Sequence, residues 1–203
     1  MIDPGALRLV AITDNLRDGI DGLAARARAA QRGGATMIQL RLPDESARTL
    51  AAAARALMAA LDVPLVVHGR VDVALAVGAA GVHLGVLDVG VVDVRRLASD
   101  GFIVGRSAAN AVDLRTAVAA DYVTLGPLFP AGERRQEPAL GLTEFEHLAR
   151  ECELPVVAIG GVSASTGPEA VRAGARGVAL IAGVFGSRDP ERSAREVRSA
   201  IGT

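Results

Sequence analysis

The chain has 203 residues, half of them hydrophobic, with 22 basic against 23 acidic residues and a formal net charge of −1. That length gives one domain with room for a sizeable core, and the composition excludes a disordered chain. The balanced charge and an aromatic content of 2% give no general case for nucleic acid, an anionic membrane or base stacking. No apolar run reaches membrane-spanning length, and the start "MIDPGALRLVAIT" lacks a basic region followed by a long apolar one, so a cytoplasmic location is expected. The single cysteine, Cys152, has no partner for an internal disulfide. The chain contains no lysine, so a lysine Schiff base is excluded and every phosphate-binding cation must be an arginine.

Short β-branched runs alternate with alanine-rich stretches of helical composition. The runs, in order, are "LRLVAIT" (7–13), "ATMIQLR" (35–41), "PLVVH" (64–68), "GVHLG" (81–85), "FIVGR" (102–106), "DYVTLG" (121–126), "PVVAIG" (155–160) and "GVALIAG" (177–183). Strands alternating with helices predict a parallel sheet, because each parallel pair needs a crossover. Near-continuous apolarity fits strands covered on both faces. Eight such units predict a closed (β/α)₈ barrel, an α/β fold in a single domain over residues 1–203. The alternative, an open doubly wound sheet, lacks its usual glycine-rich loop, since "AITDNLRDG" is not G-x-G-x-x-G. Recurring junctions, "RGGATMIQL", "VGAAGVHLG", "VAADYVTLG" and "RAGARGVAL", support the unit count. The longest irregular connection, "GPLFPAGERRQEPALG" (126–141), reads as a loop of the kind that acts as a lid.

In a barrel the functional residues collect at the C-terminal ends of the strands. Gln39 and Arg41 close the second strand, and alternation points both into the mouth; Arg41 suits a carboxylate or phosphate, or a surface salt bridge. His68 ends the third strand, as a proton shuttle or a structural histidine. His83 ends the fourth, with Asp88 five residues on, both expected as substrate-binding positions; neither a cysteine partner nor an H-x-x-x-H spacing accompanies the two histidines, so no metal site is expected. Ser107, after Arg106, suits a substrate anion or a helix cap. Arg134 and Arg135 lie on the long loop, where a lid would make them a clamp. The last two strands run into "IGGVS" and "AGVFGS", so Gly160, Gly161, Ala182 and Gly183 are expected to offer backbone N–H groups to a phosphate, with a short extra helix starting near Gly183. His147 is expected on a helix surface, and Asp72 at a helix start.

The segments "MIQLR" (37–41), "GRVDVAL" (69–75), "GVHLG" (81–85), "VGRSAAN" (104–110), "DYVTLGPLFP" (121–130), "AIGGV" (158–162) and "AGVF" (182–185) resemble the thiamine-phosphate synthase and TenI-type thiazole tautomerase superfamily nearly end to end. The resemblance implies a (β/α)₈ barrel with a thiazole phosphate held by the last two loops, a small phosphorylated substrate as the partner, and a homodimer. The synthase branch joins a pyrimidine diphosphate to the thiazole phosphate with Mg²⁺. Its second strand ends Q-x-R-x-K, and Pro43 stands at the lysine position here; its third ends N-D, replaced by His68 and Gly69. Asp88 and Ser107 are kept, and Arg134 stands for a loop lysine. The tautomerase branch isomerises a carboxythiazole phosphate with no metal or other cofactor, and "GRVDVAL" and "VGRS" resemble its segments. That branch's loop histidine is Pro127 here, a substrate-side position, which leaves His68 as the acid–base group and Arg41 on the substrate carboxylate. The expectation is therefore a metal-free thiazole tautomerase, with a divergent Mg²⁺-dependent synthase and a non-catalytic thiazole- or thiamine-phosphate binder as alternatives.

Overall fold

The two longest helices form where buried residues recur at i, i+3, i+4 and i+7. In α2 (Ala47–Ala60) the buried positions are Leu50, Ala53, Ala54 and Leu57, and the Ser46 side chain accepts the Thr49 N–H at 3.1 Å as an N-cap. In α1 (Gly19–Arg32) the same spacing buries Leu23, Arg26, Ala27 and Ala30. Between the helices run eight short strands, given by a computed structural model that describes residues 2–130 and 138–202. They are β1 (Leu9–Ile12), β2 (Met37–Leu40), β3 (Leu65–His68), β4 (Gly81–Leu84), β5 (Ile103–Ala108), β6 (Tyr122–Leu125), β7 (Val156–Ile159) and β8 (Gly177–Leu180). All neighbours pair in parallel, and β8 pairs back onto β1 through Val10 and Ala179. This closure excludes the open-sheet alternative and gives the (β/α)₈ barrel expected from the strand count.

Alternation along each strand divides the core in two. Val10, Ile12, Met37, Val66, Tyr122, Val157 and Ala179 fill the barrel, and a 3₁₀ turn (Pro4–Leu7) plugs its lower end with Ala6 and Leu7. The alternate strand residues, such as Leu9, Ala11, Ile38, Leu40, Val67 and Leu125, pack outward under the helices. The remaining helices are α3 (Val71–Val77), α4 (Val91–Leu97), α5 (Ala111–Arg115), α6 (Gly141–Glu151), α7 (Gly167–Arg172) and α8 (Pro190–Ala200). His147 stands exposed on α6, as expected, and Cys152 caps its end as a half-buried free thiol. Asp72, in the first turn of α3, pairs with Arg70 on both oxygens. No helix among the described residues is long and apolar enough to cross a membrane.

One arginine ties the lower rim together. Arg95 on α4 donates to the Ala119 and Phe102 carbonyls and pairs with Asp121 at 2.6 Å, while Asp121 also accepts the Val104 N–H. Both partners are mostly buried, so removing the cation leaves a carboxylate short of a partner. Arg95→Met is expected to lower the unfolding free energy by about 1–3 kcal/mol in a urea titration, with the slope of the transition unchanged. A midpoint equal to that of the parent chain would show the pair to be dispensable.

Candidate functional site

The upper mouth of the barrel carries a polar layer above the apolar interior. It is built from the last inward position of successive strands: Gln39 on β2, His68 on β3, His83 on β4, Ser107 on β5 and Thr124 on β6. Gln39, His83 and Thr124 are almost wholly buried. Gln39 Nε2 lies 3.0 Å from His68 Nδ1, so with the amide donating, His68 carries its proton on Nε2. The His68 and His83 rings stack with centroids 5.8 Å apart. His83 Nδ1 lies 3.0 Å from the Tyr122 hydroxyl, and His83 Nε2 lies 2.9 Å from Ser107 Oγ and 3.3 Å from Thr124 Oγ1. Burial, neighbouring His68 and Arg106 push the pKa of His83 down to about 3. Burial, with the Arg41 charge second, also holds His68 below the usual histidine range, against a smaller upward pull from Asp88. Both imidazoles are therefore neutral at pH 7.

Asp88 leans over this layer from the loop after β4. Its Oδ2 accepts the Gly85 N–H at 2.7 Å, and a Cβ placed on Gly69 would stand 3.2 Å from the same oxygen. The loop is held from outside the barrel. Arg106, buried on the outer face of β5, donates to the carbonyls of Val86 and Val89 at 3.1 and 3.2 Å, with a longer contact to that of Asp88. Arg41 lies half-buried at the end of β2, and its guanidinium forms no ion pair among the described residues.

Opposite these side chains, β7 and β8 present backbone. Among the described residues, the N–H groups of Gly160, Gly161, Ala182 and Gly183 have no hydrogen-bond acceptor in the protein. The glycines also serve packing. Gly160 and Gly161 have φ of 90° and 66°, and a Cβ on them would lie 2.6 Å from Pro127 Cα and 2.6 Å from Phe129 Cβ. The β6 loop thus packs into the space their missing side chains leave, and Pro127 belongs to that packing. The expected extra helix at Gly183 is a single turn over 182–186, closed by Val184 and Phe185 N–H bonds to the Ile181 carbonyl. Arg26 fixes this turn by bonding the Phe185 and Asn15 carbonyls and Asp14, with Phe185 under its guanidinium. The Arg134 and Arg135 positions, and with them residues 131–137 of the expected lid, lie outside the described residues.

The strand ends thus gather Gln39, His68, His83, Asp88 and Ser107 on one side of a mouth and the four bare amides on the other. Tyr122, Thr124 and the clamping roles of Arg106 and Arg26 escape sequence reading. Alternation within "DYVTLG" was the available signal: Tyr122 and Thr124 share the inward face.

The profile of the family described as thiamine monophosphate synthase matches residues 9–184. The chain belongs to this family. A thiamine-phosphate synthase of Roseiflexus castenholzii is 42% identical over 190 residues, covering 91% of this chain and 83% of the relative. That of Xanthobacter autotrophicus is 36% identical over 207 residues, covering 99% and 98%. The solved thiamine phosphate pyrophosphorylase of Pyrococcus furiosus superposes with a TM-score of 0.87 at 32% identity, covering 98% of this chain and 96% of that one. These relatives carry the synthase name, and they lend no support to the expected tilt towards the tautomerase branch.

The depressed pKa of His83 has a testable consequence. Unfolded, the ring titrates near 6.5; folded, near 3. Below pH 6.5 the unfolded state takes up a proton that the native state refuses, so stability falls as pH drops from about 6.5 towards about 3. The urea midpoint is expected to decline over this window, and His83→Gln should decline less steeply than the parent. Parallel profiles for the two chains would show that His83 is not buried neutral.

Proposed function

We propose that this family member is a thiamine-phosphate synthase, a transferase joining a pyrimidine diphosphate to a thiazole phosphate. The observation that carries the reading is the division of the mouth. A synthase must hold two phosphorylated reactants face to face, and this rim has two dissimilar halves: the side chains of β2 to β5, and the acceptor-free amides after β7 and β8. Backbone N–H groups around glycine make a natural cradle for a phosphate dianion, so the thiazole phosphate belongs on Gly160, Gly161, Ala182 and Gly183. Gln39, His68, Asp88, Ser107 and Arg41 then face the pyrimidine diphosphate. The thiazole nitrogen attacks the pyrimidine methylene carbon, the C–N bond forms, and the C–O bond breaks with its electron pair leaving on diphosphate. The chain holds the two partners in line and offers Ser107 and Arg41 to the departing anion.

The donor set for Mg²⁺ is small. No three metal-binding side chains cluster among the described residues, and Asp88 is the carboxylate that leans over the side chains of β3 and β4. Mg²⁺ is commonly held by one or two carboxylates together with substrate phosphates, so Asp88 fits an ion that arrives with the diphosphate. Such an ion would neutralise charge on the leaving group. His68 and Gly69 occupy the places of the family's Asn-Asp pair, and the second carboxylate is missing.

A second reading, the metal-free tautomerase, draws on one observation: His68, held neutral by burial and fixed through Nδ1 by Gln39, is suited to proton transfer. The two part in one experiment. With both substrates, thiamine phosphate is expected to form only when Mg²⁺ is present. Isomerisation of the non-aromatic thiazole without metal, abolished by His68→Ala, would favour the second reading, and tight binding of either ligand without turnover would leave a carrier. Asp88 gives a further check. Asp88→Asn is expected to raise the Mg²⁺ concentration for half-maximal rate by about tenfold, the effect of roughly 1.4 kcal/mol; an unchanged Mg²⁺ dependence would detach Asp88 from the metal.

Gly160→Ala and Gly183→Ala compare a glycine packed against backbone with one packed against a flexible side chain. At Gly160 an added Cβ meets backbone, while at Gly183 it meets the flexible end of Leu180. Gly160→Ala is therefore expected to lower both stability and thiazole-phosphate affinity, and Gly183→Ala to change each less than threefold, about 0.6 kcal/mol, in thermal melts and calorimetric titration.

A further inference from the structure

Buried between the mouth and the apolar interior lies a hydrogen-bonded chain whose direction can be read from its ends. Its lower end is the phenol of Tyr122, wholly buried and held protonated by desolvation. Two acceptors are within its reach: His83 Nδ1 at 3.0 Å and the Met37 thioether at 3.9 Å. Sulfur is a weak acceptor, so the phenol proton goes to Nδ1. An imidazole that accepts at Nδ1, and is too deeply buried to be charged, carries its single proton on Nε2. From there it donates to Ser107 Oγ at 2.9 Å, and more weakly to Thr124 Oγ1 at 3.3 Å. Thr124 in turn passes its own proton to Ser107 Oγ at 3.4 Å. Ser107 Oγ thus receives from two neighbours, and no acceptor for its own proton is found among the described residues.

The fold makes room for this chain. A Cβ on Gly105 would stand 2.4 Å from Tyr122 Cζ and 2.5 Å from His83 Nδ1, so the contact between phenol and imidazole occupies the space that an alanine at 105 would fill.

We propose that Tyr122 and His83 are positioning residues that fix the polarity of the Ser107 hydroxyl, so that it enters the mouth as an obligate donor to an anionic ligand. The anion is of the phosphate or diphosphate class, an identification that rests on the function proposed above. Neither residue touches the ligand; both act through Ser107.

The test uses the full chain labelled with ¹⁵N-histidine. In long-range ¹H–¹⁵N spectra, with the signals of His83 identified by their loss in His83→Gln, the ring is expected as the single Nε2–H tautomer. In Tyr122→Phe, which removes one oxygen, it is expected as a mixture of both. An Nδ1–H ring in the parent chain, or an unchanged ring in Tyr122→Phe, overturns the proposal. Should Tyr122→Phe fail to fold, the parent spectrum decides alone. Calorimetric titration with inorganic diphosphate reads the consequence. Tyr122→Phe is expected to weaken binding about 3- to 10-fold, the effect of one hydrogen bond, and to weaken it no further in a Ser107→Ala background. Independent, multiplying losses would show that Tyr122 does not act through Ser107. Absence of diphosphate binding in the parent chain counts against the proposed function, and the tautomer spectra still decide the relay.

Discussion

Everything at the mouth depends on pairing between the first and last strands. Once β8 bonds to β1, no strand has an open edge, and the inward positions of eight strands converge on one axis. Residues as far apart in the chain as Gln39 and Thr124 become members of a single ring-shaped layer. The pleat then decides which side chain joins that layer and which packs under a helix, at every second residue. A polar side chain in such a layer is cut off from water, so it must find partners within the ring. His83, the phenol and the two hydroxyls meet that demand among themselves and His68 meets it through Gln39, whose Oε1 finds no partner among the described residues; what the layer leaves over is offered to a ligand.

The two halves of the rim use different chemistry for different reasons. On the β2–β5 side, side chains are placed by strands and locked by neighbours. On the β7–β8 side, the backbone itself does the work, and its shape is set by loops packing into glycines and by Arg26 gripping the turn after β8. Arginine recurs as the fastener in this lysine-free chain: Arg26, Arg95 and Arg106 each bridge several carbonyls that no helix or strand satisfies. The planar guanidinium suits this task, because one side chain can reach diverging acceptors while remaining charged.

Much of this was legible in the sequence. Apolar runs at regular spacing located all eight strands, with ends within a few residues, because burial on both faces leaves a plain signature. Gln39, His68, His83 and Ser107 were legible for a related reason: a polar residue closing an apolar strand in a barrel has few places to go. Tyr122 and Thr124 were hidden because an aromatic and a β-branched residue are ordinary in a strand, and their value arises from neighbours on β4 and β5. The glycines after β7 were recognised, but half their reason was not, since the packing of the β6 loop against them is a contact between distant segments. The helix expected after β8 fails for want of length, with Asp189 and Pro190 already starting α8.

Arg106 and Ser107 are consecutive, and they face opposite ways. One braces the loop that bears Asp88 from the outer wall; the other opens into the cavity. The shape of that loop and the aim of that hydroxyl are therefore set by a single stretch of β5 backbone, and a shift of one residue in the alignment of β5 against β4 would exchange them, sending a guanidinium inside and leaving the loop unbraced. Insertions and deletions in this strand should consequently be forbidden even where its individual side chains can be replaced, so that the spacing of the segment, more than its composition, is what descent has to preserve.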